Sequence, residues 1–151
     1  MRKNKSYKLN SNVYEFTVKG DMLNHVNTLH GGELVKHFDN AAGMTAMTFA
    51  DNRVVTASIK EFNFLKKILL DEKVTINTEI FKVGRSSINV YAEAFVSSKN
   101  KKRLVKAAES LFIFIGVDDN LDSTVVPNLI FDSQADKKRS EKLKKKFGFK
   151  L

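Results

Sequence analysis

The chain has no cysteine, a single proline (Pro127) and seven glycines in 151 residues. The first absence removes disulfides, thiolate nucleophiles and cysteine-based zinc or iron–sulfur sites together. Few prolines and glycines mean few interruptions, so long regular elements are expected. No apolar run reaches the roughly 18 residues of a membrane span. Arg2, Lys3, Asn4 and Lys5 follow the initial Met1, but no apolar stretch comes next, so no secretory signal is expected either. The chain reads as soluble and cytoplasmic. Only His25, His30 and His37 are present, without the i, i+4 pair of a zincin helix, and no metal site is expected. With no G-x-S-x-G elbow, a nucleophilic serine triad has little support.

What is present suits one globular domain: 42% of residues are hydrophobic and 28% charged. The net charge of +9 is unevenly spread. Residues 137–151 hold eight Lys/Arg against one Glu, and Arg2, Lys3, Lys5 and Lys8 add four more charges. The body between them carries 14 basic and 16 acidic residues and is near neutral. Basic ends of this kind are more often solvated tails than binding surfaces, although they attract phosphate-bearing ligands. We therefore divide the chain into a domain over residues 1–136 and a basic tail over 137–151.

Residues 12–19 alternate in the manner of a strand. Residues 20–30 form a polar loop. From Gly31 onward, Leu34, Val35, Phe38, Ala41, Ala42, Thr45 and Phe49 recur at spacings of three and four, which is helical. The stretch Ala41–Ala50 carries no charge on any side, so burial all round is expected for it, with Ala42, Gly43 and Ala46 allowing close packing. Residues 53–64, 73–83, 86–97 and 103–117 are rich in β-branched and aromatic residues. They are separated by Lys66–Glu72, Gly84-Arg85 and a charged Lys99–Lys102 turn. Strands this long favour a strongly curved antiparallel sheet. The composite is an α+β fold in which the sheet wraps around one long central helix. Residues 118–136 read as an irregular crossing segment, and 137–147 as a short basic helix or a frayed tail.

Three places carry candidate chemistry. The loop Asn24-His25-Val26-Asn27-Thr28-Leu29-His30 opens through Gly31-Gly32 into the helix, where free N–H groups sit at the positive end of the helix dipole. Such a junction suits a phosphate or the oxyanion of a polarised carbonyl, but a glycine pair also serves as a plain tight turn. Asp39 lies two turns into the helix among Phe38, Ala41 and Ala42. A carboxylate there needs a partner or a task, and general-base work is one such task. Val83-Gly84-Arg85-Ser86-Ser87 joins two strands and suits a phosphate clamp, or else an ordinary hairpin with an exposed arginine.

In order and spacing these pieces resemble the hot-dog-fold acyl-CoA thioesterases, in the branch of bacterial cytosolic acyl-CoA hydrolases. The resemblance rests on Asn24…His30-Gly31-Gly32, Asp39, Val54-Val55-Thr56, Phe62-Asn63-Phe64, Val83-Gly84-Arg85-Ser86-Ser87 and Leu111-Phe112-Ile113-Phe114 leading to Asp118. It covers roughly residues 12–130. It departs from the family pattern at Asn27, Lys67 and Leu70, where glycine, proline and glycine are usual.

The resemblance implies dimers joined sheet edge to sheet edge, alone or as a trimer of dimers, with the active site at the dimer interface. It gives Asp39 the role of base or nucleophile and supplies Asn24 from the other subunit. Gly31 and Gly32 would form the oxyanion site, and His30, Val83, Gly84, Arg85, Ser86 and Ser87 would contact acyl-CoA. The implied reaction cleaves acyl-CoA to a free acid and CoA. A thioester carbonyl is already electrophilic and the thiol leaves readily, so one base and an oxyanion site suffice and no cofactor is needed. The alternative is a hot-dog module that senses acyl-CoA without cleaving it, but Asp39 would then be superfluous. Nucleic-acid binding is disfavoured, because only Phe147 and Phe149 accompany the basic residues of the tail.

Overall fold

Period-two alternation sets the sheet. Val74, Ile76, Thr78 and Ile80 turn to one face of their strand and all four are buried. In a computed structural model, which describes residues 2–7, 13–97 and 103–150, the elements follow in this order. They are β1 (Asn4–Ser6), β2 (Val13–Thr17), a 3-10 turn (Gly20–Met22), α1 (Gly31–Ala50), β3 (Val54–Phe64), β4 (Lys73–Val83), β5 (Ser87–Ser97), β6 (Val105–Gly116), β7 (Asn128–Ile130) and α2 (Gln134–Lys146). Lys8 and the expected Lys99–Lys102 turn lie outside the described residues.

Five strands form one antiparallel sheet in the order β2-β4-β5-β6-β3. Helix α1 lies against one face and buries Leu34, Phe38, Ala41, Ala42, Thr45, Ala46 and Phe49. The alanines let it approach the strands closely, and the Phe114 ring passes Gly43 where a Cβ would be 3.5 Å away. Inside this layer Thr45 and Thr78 share a hydrogen bond of 2.7 Å, so the polar atoms there are satisfied rather than stranded. A long antiparallel sheet curled over one helix is the hot-dog architecture expected from the sequence.

Three features differ from the sequence reading. The second half of α1 is not enclosed all round within one chain: Met44 and Met47 are 57% and 49% exposed. The sheet covers only one flank of the helix, and the uncharged residues on the other flank face outward. The crossing segment after residue 117 is not wholly irregular, because β7 pairs in parallel with β1, Asn4 opposite Asn128.

The basic C-terminus is not a solvated tail. It forms α2, which starts before residue 137 and packs on the outer face of the sheet. Leu143 is buried there with Phe81, Tyr91 and Leu111, and Phe147 and Phe149 close over them. Arg139 grips Glu79 through two hydrogen bonds, both 2.9 Å. Lys146 and Lys106 both donate to Glu109 Oε1, at 2.8 and 2.7 Å.

Burial alone would raise the Glu109 carboxyl, but hydrogen bonds from Lys106, Lys146 and Tyr91 outweigh it and pull the group from 4.5 down to about 2. A depressed folded value gives stability that is complete above pH 4.5 and is lost as the pH falls towards 2. Wild type is expected to exceed Glu109→Gln in stability at neutral pH, with the gap closing below pH 4.5. Urea unfolding at a series of pH values measures this.

Candidate active site

The loop before α1 is locked by its own side chains. Asn24 Oδ1 accepts from the N–H groups of Val26 (3.0 Å) and Thr28 (3.1 Å), while Asn24 Nδ2 donates to Thr28 Oγ1 at 2.8 Å. Asn27 stands at φ 62°, in the left-handed region. This explains why the family's usual glycine can be replaced here: asparagine is the residue that best tolerates that region after glycine. The Leu29 N–H donates to Ile68 O and the His30 N–H to Met22 O, both 2.8 Å, so the loop is tied to both its flanks.

His30 is the N-cap of α1, its Nδ1 accepting from the Gly32 N–H at 2.9 Å. The Gly32 N–H is therefore engaged within its own chain. The Gly31 N–H heads the helix, where no carbonyl of the helix can reach it. A Cβ on Gly31 would stand 3.4 Å from the Phe64 ring, which lies over this corner. Beside it opens a cleft of about 400 Å³ lined by Asn24, Leu29, Gly31, Leu34, Phe64 and Ile68.

Asp39 is half-buried on the flank of α1 that faces β3. Thr56 Oγ1 donates to Asp39 Oδ1 at 2.5 Å. The register of β3 against β6 slips between Thr56 and Ser58, a bulge that redirects side chains at the point where Thr56 meets the helix. In the sequence Thr56 enters only as part of the Val54-Val55-Thr56 stretch that contributes to the resemblance, with no role of its own. A lone threonine in a strand carries no spacing signal, and only the fold brings it to Asp39. Eight residues of helix separate Gly31 from Asp39, about 12 Å along the axis. Asp39 does not line the Gly31 cleft. β3 is an edge strand that exposes Val55, Ile59 and Phe64 together with Thr56, Lys60, Glu61 and Asn63, an edge left open among the described residues.

The Gly84 turn lies at the opposite end of the sheet. Its N–H donates to Ser87 O (2.8 Å), the Gly116 N–H donates to Ser86 O (2.9 Å) and the Val126 N–H to Arg85 O (2.8 Å). A Cβ on Gly84 would come within 2.5 Å of Ser87 Oγ, so the hydroxyl would have to turn away from a larger residue there. The Arg85 side chain is exposed.

The histidines are dispersed. His25 is in the exposed loop, His30 caps the helix, and His37 stacks on Phe16 and hydrogen-bonds Tyr14 through Nδ1 at 2.9 Å. Burial holds His37 below its ordinary value, opposed by Glu33 and assisted by Lys36. Among the described residues no group of His, Asp and Glu is placed to hold a metal ion, and no helix is long and apolar enough to cross a membrane.

A sheet curled on one helix, a glycine-headed helix start and a helix carboxylate facing an open strand edge together describe a hot-dog enzyme of the thioesterase type. The model of the thioesterase superfamily matches residues 26–101, and the chain belongs to that superfamily. An uncharacterized acyl-CoA thioester hydrolase of Bacillus subtilis is 30% identical over 76% of this chain, which spans 66% of that protein's length. Among solved structures, an acyl-CoA hydrolase from Staphylococcus aureus, bound to butyryl coenzyme A, coenzyme A and coenzyme A disulfide, matches with a TM-score of 0.84. It is 26% identical, and the match covers 95% of this chain and 88% of that one. Further structures of the Staphylococcus aureus hydrolase have alanine in place of one asparagine, one aspartate or one threonine, positions that lie 15 and 17 residues apart. A hexameric thioesterase from Yersinia pestis matches with a TM-score of 0.72 at 25% identity, over 80% of this chain and 96% of that one.

The His30 cap makes a local stability prediction. Losing an N-cap acceptor costs about 0.5–2 kcal/mol. His30→Ala is expected to lower the urea midpoint by a corresponding amount without changing the slope.

Proposed function

We propose that this protein is a cytoplasmic acyl-CoA thioesterase that cleaves acyl-CoA to a free acid and CoA. The observation that carries the reading is the Thr56–Asp39 hydrogen bond at the open edge of β3. It holds a carboxylate in one orientation where a second chain and a substrate can approach. Asn24, Asp39 and Thr56 follow one another at 15 and 17 residues, the spacing of the three substituted positions in the Staphylococcus aureus hydrolase, which supports the same grouping here.

The geometry favours a site shared by two chains. Gly31 and Asp39 are too far apart along α1 to serve one carbonyl within a chain. Two copies joined by a two-fold axis through their β3 edges run antiparallel, because an isologous contact pairs each end with the opposite end. That pairing carries Gly31, Asn24 and the cleft of one protomer towards the partner's Asp39 and the partner's Thr56. It also brings the partner's Gly84 turn to the same end.

In this site Asp39 takes a proton from water as the water attacks the thioester carbonyl. The carbonyl oxygen gains negative charge and is held by the Gly31 N–H at the head of α1. The Gly32 N–H joins it only if the His30 ring turns away. The tetrahedral intermediate collapses by breaking its carbon–sulfur bond, and the CoA thiolate leaves with the proton that Asp39 took up. Direct attack by the Asp39 carboxylate, giving an anhydride that water then opens, uses the same placement. Arg85, Ser86 and Ser87 would meet the nucleotide end of CoA.

Asp39→Ala is expected to remain folded and to lose about 10²–10⁴-fold in kcat. Release of CoA thiol from a panel of acyl-CoAs measures it. Tight binding of acyl-CoA with no turnover by the wild type would instead make the domain a sensor.

The shared site is tested by complementation. Asn24→Ala and Asp39→Ala chains, refolded together at equal concentration, pair randomly, so about half of the dimers are mixed and each mixed dimer has one intact site of two. Activity should return to roughly a quarter of wild type. No gain over the average of the two mutants, with mixed dimers confirmed by mass spectrometry, means that each site is built from one chain.

A further inference from the structure

Arg2 comes to the Gly84 turn from the far end of the sequence. The parallel pair β1–β7 sets Lys3 and Asn4 beside Asn128, with the Asn128 N–H donating to Lys3 O at 2.7 Å and Asn128 Nδ2 donating to Asn4 Oδ1 at 3.2 Å. From there the half-buried Arg2 side chain reaches two carbonyls. Its Nε donates to Val126 O at 2.7 Å and its guanidinium donates to Gly84 O. Val126 is the residue whose N–H holds Arg85 O. One guanidinium therefore joins the residue before Arg85 to the crossing segment whose Val126 N–H holds Arg85 O. Arg2 has no carboxylate partner among the described residues. Its fork geometry, two parallel donors on a rigid plane, matches two carbonyls from separate segments in a way that a lysine cannot reproduce.

We infer that Arg2 is a positioning residue for the nucleotide end of the substrate, acting as a clamp that fixes the Gly84–Ser87 turn and thereby the direction of Arg85. The inference rests on the thioesterase reading, and on that reading's assignment of the turn to CoA. Arg2 touches neither the thioester nor the base. Its effect is confined to ground-state affinity for substrates that carry the nucleotide, and it acts through Arg85. Arg2 thus works by ordering a neighbouring arginine, rather than by attracting phosphate itself.

The test compares wild type, Arg2→Ala, Arg2→Lys, Arg85→Ala and the Arg2→Ala/Arg85→Ala double variant. Each is assayed on an acyl-CoA and on the matching acyl-pantetheine, which lacks the nucleotide, and binding of CoA itself is measured by calorimetry. Arg2→Ala should raise KM for acyl-CoA and weaken CoA binding by about three- to tenfold, the range of one net hydrogen bond. Its kcat should stay within about twofold, since the contact is equal in ground and transition states. Arg2→Lys should recover only part of the loss. In the Arg85→Ala background, Arg2→Ala should add little, because the clamp then has nothing to aim.

Three results overturn the clamp: CoA affinity unchanged in Arg2→Ala, equal losses on both substrates, or a full additional loss in the double variant. A loss of thermal stability without a KM split between the two substrates likewise reduces Arg2 to a structural tie. Wild type that neither binds CoA nor releases it from any acyl-CoA overturns the thioesterase reading, and the clamp with it. That outcome is distinct from a working enzyme indifferent to Arg2.

Discussion

The seating of α1 on the sheet decides the direction of every side chain on the helix. Phe38, Ala42, Ala46 and Phe49 form the stripe pressed against the strands. Each step along an α-helix turns about 100°. Asp39 therefore stands to one side of Phe38, over β3 and Thr56, and His37 to the other, over Tyr14 and Phe16 of β2. Asp39 and the stacked histidine are separated by the helix itself, and neither is free to exchange places. Aromatic packing makes the seat firm: Phe38 meets Phe62 at 4.7 Å between ring centres, and Phe62 meets Phe64 at 4.7 Å, running from beneath Asp39's neighbour to the ring above Gly31. A loss of volume at Phe38 would be felt at the Gly31 corner as well as in the core.

The charge distribution takes its meaning from the outer face of the sheet. Glu79, Glu93 and Glu109 stand beneath α2, and their carboxylates are met by Arg139, Lys106 and Lys146. Part of the basic excess of the C-terminus is thus matched to acidic residues of the body, and the helix doubles as the cover for Phe81, Tyr91 and Leu111. Arginine in the most buried of these pairs fits its ability to bond one carboxylate twice.

What could be read from the sequence was set by local patterning. The four long strands and the start of α1 at Gly31 emerged because period-two and period-3.6 signals act within a few residues. The pairing of β1 with β7 had no such signal: three-residue strands more than 120 positions apart look like loop, and only the tertiary fold selects them. Thr56 was invisible as a functional residue for the same reason, being one hydroxyl in a β-rich run until α1 is laid across it. The uncharged stretch Ala41–Ala50 reads as buried all round, yet Met44 and Met47 face outward, because hydrophobicity reports what must be covered and not which surface covers it.

A single chain presents two groups of candidate site residues at opposite ends of its sheet. One end has the Asn24 loop, the Gly31 N–H and the Phe64-walled cleft. The other has the Gly84 turn, braced by Gly116, Val126 and Arg2, with Thr56 and Asp39 on the adjoining stretch of β3 and α1. The β3 edge between them is long and unpaired among the described residues, and it mixes exposed Val55, Ile59 and Phe64 with exposed Lys60, Glu61 and Asn63. In the dimer we propose, an antiparallel join at that edge would pair the strand and bring the two groups of residues together twice in one step. On the proposed mechanism, covering β3 and bringing the Gly31 N–H to Asp39 would then be met by the same contact. On that arrangement catalysis follows assembly: a change that weakens the β3 edge would lower activity with chain concentration even when every catalytic residue is intact.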